Sequence, residues 1–204
     1  MISGTSDLQS TLKPAVFLDR DGTITRLDGY LISPNQVRLL PDAAASLAKL
    51  KQTGFLCILV TNQSAVGRGM ITTDELDTIH AELNRLLAAA GAQLDAIYSC
   101  HECPSLDDET IVEQPDRKPG PGMLLRAARD LGVDLSQSWM IGDRLSDVLA
   151  GVNAGCRSIR VRTGHRYTCP IRSIDCEYAC KYSIKEAAEF ILAETRTKDR
   201  AIGI

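Results

Sequence analysis

Four stretches of the chain carry carboxylates, a hydroxyl and a lysine at positions from which they could act on one small anion. The first is Asp19-Arg20-Asp21-Gly22-Thr23, which directly follows the apolar run Ala15-Val16-Phe17-Leu18. If that run is a strand, Asp19 and Asp21 point to the same side of it. The second is Thr61, in Val60-Thr61-Asn62-Gln63-Ser64. The third is Lys118, in Arg117-Lys118-Pro119. The fourth is the pair Asp143 and Asp147, after Trp139-Met140-Ile141-Gly142. Carboxylates can hold Mg²⁺, a hard cation that takes oxygen ligands and retains waters. A hydroxyl and a lysine can bind phosphate oxygens. A carboxylate in line with phosphorus can be a nucleophile and form an acyl phosphate. Acids alone beside a phosphate would repel it, so the set is coherent only with the metal and the lysine. One Asp-x-Asp-Gly stretch is also a common turn, but four such strand ends in series are hard to assign to unrelated turns and caps.

The elements that must position these residues follow from the apolar pattern. Residues 15–18 and 55–60 show no apolar/polar alternation and read as strands covered on both faces. Further strands are expected at 94–99, 139–141, 158–161 and 177–180. Helices are expected over 41–50, from Thr72 or Thr73 to 87, over 121–131, up to Asn153, and over 184–194. Within the second helix Leu76, Ile79, Leu83, Leu86 and Leu87 keep helical spacing, and Asp74 and Glu75 sit in the first turn, where they complement the helix dipole. His80 lies among them and reads as a helix-surface histidine. Gly54, Gly91 and Gly132 stand just past helix ends. This alternation predicts a three-layer Rossmann-like α/β fold, a parallel sheet with helices on both faces. Ligands of such sheets sit at the carboxyl ends of the strands. Residues 24–35 carry turn chemistry and are too few for a large cap domain. Residues 100–120 form a long stretch without periodicity, which in a compact domain marks a functional or disordered loop.

The totals set bounds on function. A chain of 204 residues fits one domain with a real core, here 14–204 behind a flexible leader at 1–13. A net charge of −3 provides no basic field, so no nucleic-acid partner is expected. No apolar run approaches a membrane span, and the leader has no signal-peptide core, so a cytoplasmic monomer is expected. Of the 7 cysteines, Cys57 and Cys156 read as core thiols. Cys169, Cys176 and Cys180 fit no common metal spacing and read as core or half-buried thiols.

In the order and context of these four motifs, the chain resembles the haloacid dehalogenase (HAD) superfamily of phosphotransferases. The resemblance implies that Asp19 is the nucleophile and that Asp21 is the acid, then the base. It implies that Thr61 and Lys118 hold the transferred phosphoryl. Mg²⁺ would be bound by Asp19, Asp143 and the backbone carbonyl of Asp21, with Asp147 in support, bonding Lys118 or a metal water. Thr-Asn-Gln-Ser followed by Arg-Gly, Arg-Lys-Pro followed by Pro-Gly-Met-Leu, and Val-Arg-Thr-Gly near the end narrow the likeness. They resemble the D-glycero-D-manno-heptose 1,7-bisphosphate phosphatases and their relatives, the histidinol-phosphate phosphatases. That implies a phosphoric monoester hydrolase for a small phosphorylated sugar, with Asn62, Arg68 and Arg117 at substrate-binding positions. A guanidinium grips phosphate in a bidentate manner, so both arginines suit a second phosphate. The alternatives are histidinol phosphate or another sugar phosphate as substrate, or a catalytically silent phosphosugar-binding protein. Heptose products of such enzymes serve lipopolysaccharide and related glycans.

The likeness fails in one place. The family usually holds a structural zinc in the long loop, through an early Cys-x-His and a late Cys-x-Cys. Here the early part reads Cys100-His101-Glu102-Cys103, and Gln114 and Asp116 occupy the late positions. A substitute site from Cys100, His101, Cys103 and Asp116 needs four groups to converge on a tetrahedron, although two of them are adjacent in sequence. Little or no zinc is therefore expected.

Overall fold

A computed structural model describes residues 12–26, 28–164 and 176–202, the side chains of 198–202 excepted. The leader up to residue 11 and Cys169 lie outside the described residues. The central strand β1 is Ala15–Leu18, and all four of its residues are buried. Its side chains alternate between two cores. Val16 and Leu18 join one cluster, and Ala15 and Phe17 join the other. This explains why the run shows no polar alternation: neither face meets water.

In chain order the remaining elements are α1 (Ala43–Gln52), β2 (Leu56–Asn62), α2 (Ser64–Gly67), α3 (Thr73–Ala89), β3 (Ala96–Cys100), α4 (Gly122–Leu131), β4 (Trp139–Gly142), α5 (Leu145–Asn153), β5 (Arg157–Val161), β6 (Ala179–Lys181) and α6 (Ile184–Ile202). All neighbouring strands pair in parallel, in the order β3-β2-β1-β4-β5-β6. Helices α1, α3 and α6 cover one face, and α4 and α5 the other. The strand order reverses between β1 and β4, the topological switch point at which open sheets leave a crevice. There Leu18 is in register with Ile141, and Asp19 N donates to Ile141 O at 2.9 Å. The residues after the two strands therefore leave the sheet side by side.

Local chemistry explains the element ends. Thr72 and Glu75 close a capping box on α3: Thr72 Oγ1 accepts from Glu75 N, and the Glu75 carboxylate accepts from Thr72 N. Leu76, Ile79, Leu83 and Leu87 line the buried face of that helix, each leucine contributing roughly 1.5–3 kcal/mol of burial. Gly132 ends α4 with φ 66°, a left-handed cap that favours glycine. β2 runs two residues beyond the expected 60, because Thr61 and Asn62 stay in register with Ser99 and Cys100 of β3. Lys13 belongs to the domain rather than to the leader: its N–H donates to Gly132 O at 2.9 Å and its carbonyl accepts from Asp134 N at 2.9 Å. Among the described residues, no helix is long and apolar enough to cross a membrane.

Candidate active site

Asp19 and Asp143 follow β1 and β4 at the switch point, and Asp147 lies in the first turn of α5. All three are buried, and one carboxylate oxygen from each lies within 4.8 Å of the others. Lys118 enters from the far end of the 101–119 loop and is almost fully buried. Its Nζ donates to Asp19 Oδ1 at 2.6 Å, lies 2.6 Å from Asp147 Oδ1 and donates to Val60 O at 2.8 Å. Every ammonium hydrogen is therefore used. Burial works against the charged lysine, yet Asp147 and Asp19 outweigh it and raise its pKa. Burial pushes Asp19 up to about 8, and the carboxylates of Asp147, Asp143 and Asp21 add to the shift against the pull of Lys118.

Asp21 stands beside this cluster on the same cavity wall. Its carboxylate accepts from Arg20 Nε at 3.0 Å, Arg20 Nη2 at 2.8 Å, Gln63 Nε2 at 3.1 Å and Thr25 Oγ1 at 3.2 Å. Gln63 also donates to Thr61 Oγ1 at 2.8 Å and accepts from Arg20 Nη2 at 2.8 Å. Gln63 thus ties the hydroxyl after β2 to the acid after β1. The tight turn that carries Asp21 depends on Gly22, whose φ is 83° and whose N–H donates to Thr25 O at 2.8 Å.

Asp143 is oriented from behind by Arg160, whose Nε donates to the Asp143 carbonyl at 2.9 Å. Gly22 and Gly164 face its carboxylate, and a Cβ on either would collide with it. These glycines let the two backbone segments pack directly against the Asp143 carboxylate. Both Asp147 oxygens are engaged, one with Lys118 and the other accepting from Arg144 N at 2.9 Å. The carboxylates of Asp19, Asp143 and Asp147 lie close enough together to hold a divalent cation, and the oxygen donors suit Mg²⁺.

The cluster opens into a cavity of about 700 Å³. Asp19, Asp21, Thr61, Asn62, Lys118 and Asp147 line its base. Arg68 and Arg117 line it farther out, Arg68 exposed and Arg117 Nη1 donating to Glu102 O at 2.6 Å. Asn62 also bonds the backbone of the long loop. Its amide donates to Lys118 O and accepts from Lys118 N, both at 3.0 Å. It fixes the backbone that presents the lysine.

Two sequence expectations are corrected. His80 is buried rather than on the helix surface, and its Nε2 lies 3.4 Å from Arg20 Nη1. Burial, aided by that guanidinium, pushes its pKa down to about 4. Cys180 is exposed, while Cys176 is half-buried. Cys57 and Cys156 are core thiols as expected, pushed up to about 12 by burial. The four groups weighed for zinc do not converge. Cys100 is buried, His101 Nε2 lies 3.0 Å from Ser99 Oγ, Cys103 Sγ is 3.7 Å from Ser64 O, and Asp116 pairs with Arg126. Sequence reasoning missed Arg20 and Gln63. The one signal was their position beside motif residues, which does not reveal that they bond each other.

Comparison with known proteins decides the family. The HAD-hydrolase-like family model matches residues 116–179. A D-glycero-D-manno-heptose-1,7-bisphosphate 7-phosphatase of Thermosynechococcus vestitus is 40% identical over 157 residues, covering 74% of this chain and 80% of the relative. The chain belongs to this phosphatase family. Another family member, the D-glycero-beta-D-manno-heptose-1,7-bisphosphate 7-phosphatase of Escherichia coli K12, is 39% identical over 158 residues, 76% of this chain and 82% of the relative. The crystal structure of the heptose bisphosphate phosphatase of B. bronchiseptica, complexed with magnesium and phosphate, superposes with a TM-score of 0.78 at 33% identity, covering 89% of this chain and 99% of that one. A HAD-like phosphatase of Mesorhizobium loti gives a TM-score of 0.74 at 30% identity, over 90% and 88% of the two chains. Both the fold and the phosphoric monoester hydrolase class of this chain follow from that membership.

Proposed function

We propose that this phosphatase removes the 7-phosphate of D-glycero-D-manno-heptose 1,7-bisphosphate through a phosphorylated Asp19. The observation that carries the reading is the convergence of Asp19, Lys118, Asp143 and Asp147 at the switch point, in a chain similar over most of its length to phosphatases of that name. Asp19 attacks phosphorus, the bond from phosphorus to the C7 oxygen breaks, and Asp21 gives that oxygen its proton. Asp21 then takes a proton from water, the water oxygen attacks the acyl phosphate, and inorganic phosphate leaves with Asp19 restored. Lys118 and Thr61 hold the phosphoryl oxygens. Asp147 keeps the lysine aimed between the carboxylates, and Arg20 with Gln63 keeps Asp21 at the cavity wall.

Asp19 and Asp143, with the backbone carbonyl of Asp21, would hold Mg²⁺. When bound, this ion neutralises charge on the phosphoryl group. Arg68 and Arg117 suit the second phosphate of the substrate. We read the 101–119 loop as held without zinc, since Cys103, His101 and Asp116 are turned to other partners.

The test is phosphate release in Mg²⁺ across the anomers of heptose 1,7-bisphosphate, histidinol phosphate and common sugar monophosphates. The heptose bisphosphate should give the highest kcat/KM, and Asp19→Asn should abolish it while the fold persists. Higher kcat/KM on histidinol phosphate moves the assignment to that substrate, and an active, folded Asp19→Asn protein removes the nucleophile.

A further inference from the structure

The tip of the long loop closes on itself and then reaches back into the cavity. Glu113 accepts from Ser105 N at 2.7 Å and from Leu106 N at 2.5 Å. Asp108 accepts from Thr110 N at 2.9 Å and from Thr110 Oγ1 at 2.6 Å. Glu109 stands at the apex of this turn. Its Oε2 accepts from Arg144 Nε at 2.8 Å. Arg144 directly follows Asp143, and its own backbone N–H is fixed on Asp147. Its guanidinium is therefore carried by the N-terminal cap of α5, while its carboxylate partner belongs to the loop. Both side chains line the cavity that contains Asp19.

A carboxylate on a guanidinium occupies the position that a phosphate would take, because both anions accept from the same planar fork. We infer that Glu109 is a specificity-determining self-ligand: it holds Arg144 in the resting enzyme, and a second anionic group on the substrate must displace it to reach that guanidinium. The inference rests on the phosphatase reading of the site. It separates two classes of substrate. A bisphosphate exchanges its distal phosphate for Glu109 on Arg144, which shares the cavity with Arg68 and Arg117, and this detaches the loop tip from α5. A monophosphate reacts with the Glu109–Arg144 pair intact. Glu109 touches no reacting atom, so its effect should appear in discrimination between substrates rather than in the chemical step.

Steady-state kinetics in saturating Mg²⁺, with heptose 1,7-bisphosphate and a sugar 6-monophosphate as the pair of substrates, tests this. In Glu109→Gln the ratio of the two kcat/KM values should shift towards the bisphosphate by about three- to fivefold, through KM, the scale expected for releasing a partly exposed ion pair. Arg144→Gln should lower the ratio, and adding Glu109→Gln to that variant should not raise it again. A parallel loss on both substrates would mark Glu109 as a plain loop anchor and overturn the inference, as would a ratio unchanged in Glu109→Gln. Should the wild type turn over neither compound, the reading of the site fails first. Calorimetric titration of the same two compounds then decides on the ratio of Kd values, where an unchanged ratio in Glu109→Gln overturns the inference.

Discussion

Replacing Lys118 with Met tests how the site holds its charges. The lysine lies 2.6 Å from both Asp19 and Asp147, and Asp143 is buried beside them. Methionine matches much of the alkyl stem, so little cavity opens, and the loss is mainly that of the ammonium. Removing one partner of a buried ion pair costs about 3–5 kcal/mol, because the other charge is left uncompensated. The two pairs share one ammonium, so their costs do not simply add. In a domain of this size about 1 kcal/mol moves Tm by roughly 2–4 °C, which gives a fall of roughly 6–20 °C in metal-free buffer at pH 7.5. The sign with pH is fixed by the raised carboxylate of Asp19, which already lies at about 8 with the lysine present. A carboxyl group whose pKa rises on folding destabilises the fold above its unfolded value, and that cost disappears as pH falls. The gap between wild type and variant should therefore widen as pH rises through about 8, where Asp19 ionises beside the lysine in the wild type and resists ionisation in the variant. Mg²⁺ should raise the Tm of the variant more than that of the wild type. Turnover should fall about 10²- to 10³-fold, the usual cost of losing one preorganised group on developing charge. Scanning calorimetry and phosphate release measure both effects. A Tm within 2 °C of wild type, or a Tm gap that widens as pH falls, would falsify the charge-balance argument.

Three further outcomes can be checked. Asn62→Ala should lower kcat about tenfold with little change in KM, since Asn62 fixes the Lys118 backbone; a rise in KM alone would return it to the substrate-binding role. His80 is neutral when folded, its pKa pushed down from 6.5 to about 4, so it stabilises the protein above pH 6.5 and this contribution is lost as pH falls towards 4. Its loss amounts to about 3 kcal/mol; urea midpoints of His80→Gln should fall less than wild type over that window, and parallel profiles would exclude the histidine as the cause. Elemental analysis of purified protein should find well under one zinc per chain, and EDTA treatment followed by Mg²⁺ alone should restore full activity; a stoichiometric zinc would disprove the metal-free reading of the loop.

What was legible in the sequence was set by strong local rules. The apolar run 15–18 can be nothing but a doubly covered strand, and the residues after it must emerge at a strand end. Thr72 with Glu75 declares a helix start, and Gly132 a helix end. Asp19, Asp21, Thr61, Asp143 and Asp147 could be listed from their places after strands, and Lys118 from its helix lead-in. The layer beneath them could not. Arg20 and Gln63 are 43 residues apart and meet only because β1 and β2 pair. His80 sits at a position whose helical phase borders the apolar stripe, and burial there depends on Arg20 filling the space beside it. Family resemblance puts Asn62 at the substrate, but its bonds to the lysine backbone, 56 residues on, follow only from the fold. α6 outran its expected end at 194 because no breaker follows, and Thr195 and Thr197 bond carbonyls one turn back instead of capping.

The reversal of strand order between β1 and β4 makes the molecule a hinge-less book with its text in the spine. One leaf, β3-β2-β1, is made of residues 15–100, and the other, β4-β5-β6, of residues 139–181. The sheet joins them along a single pairing of three residues, from Val16↔Trp139 to Leu18↔Ile141. Asp19 stands on the first leaf and Asp143 on the second, with Lys118 entering from the segment that binds them. Cut within residues 101–117, the chain becomes two fragments, neither with a whole site, so phosphate release would report their reunion directly. During synthesis, likewise, Asp19 leaves the ribosome well before Lys118 and Asp143, and the site is complete only when the second leaf has been made.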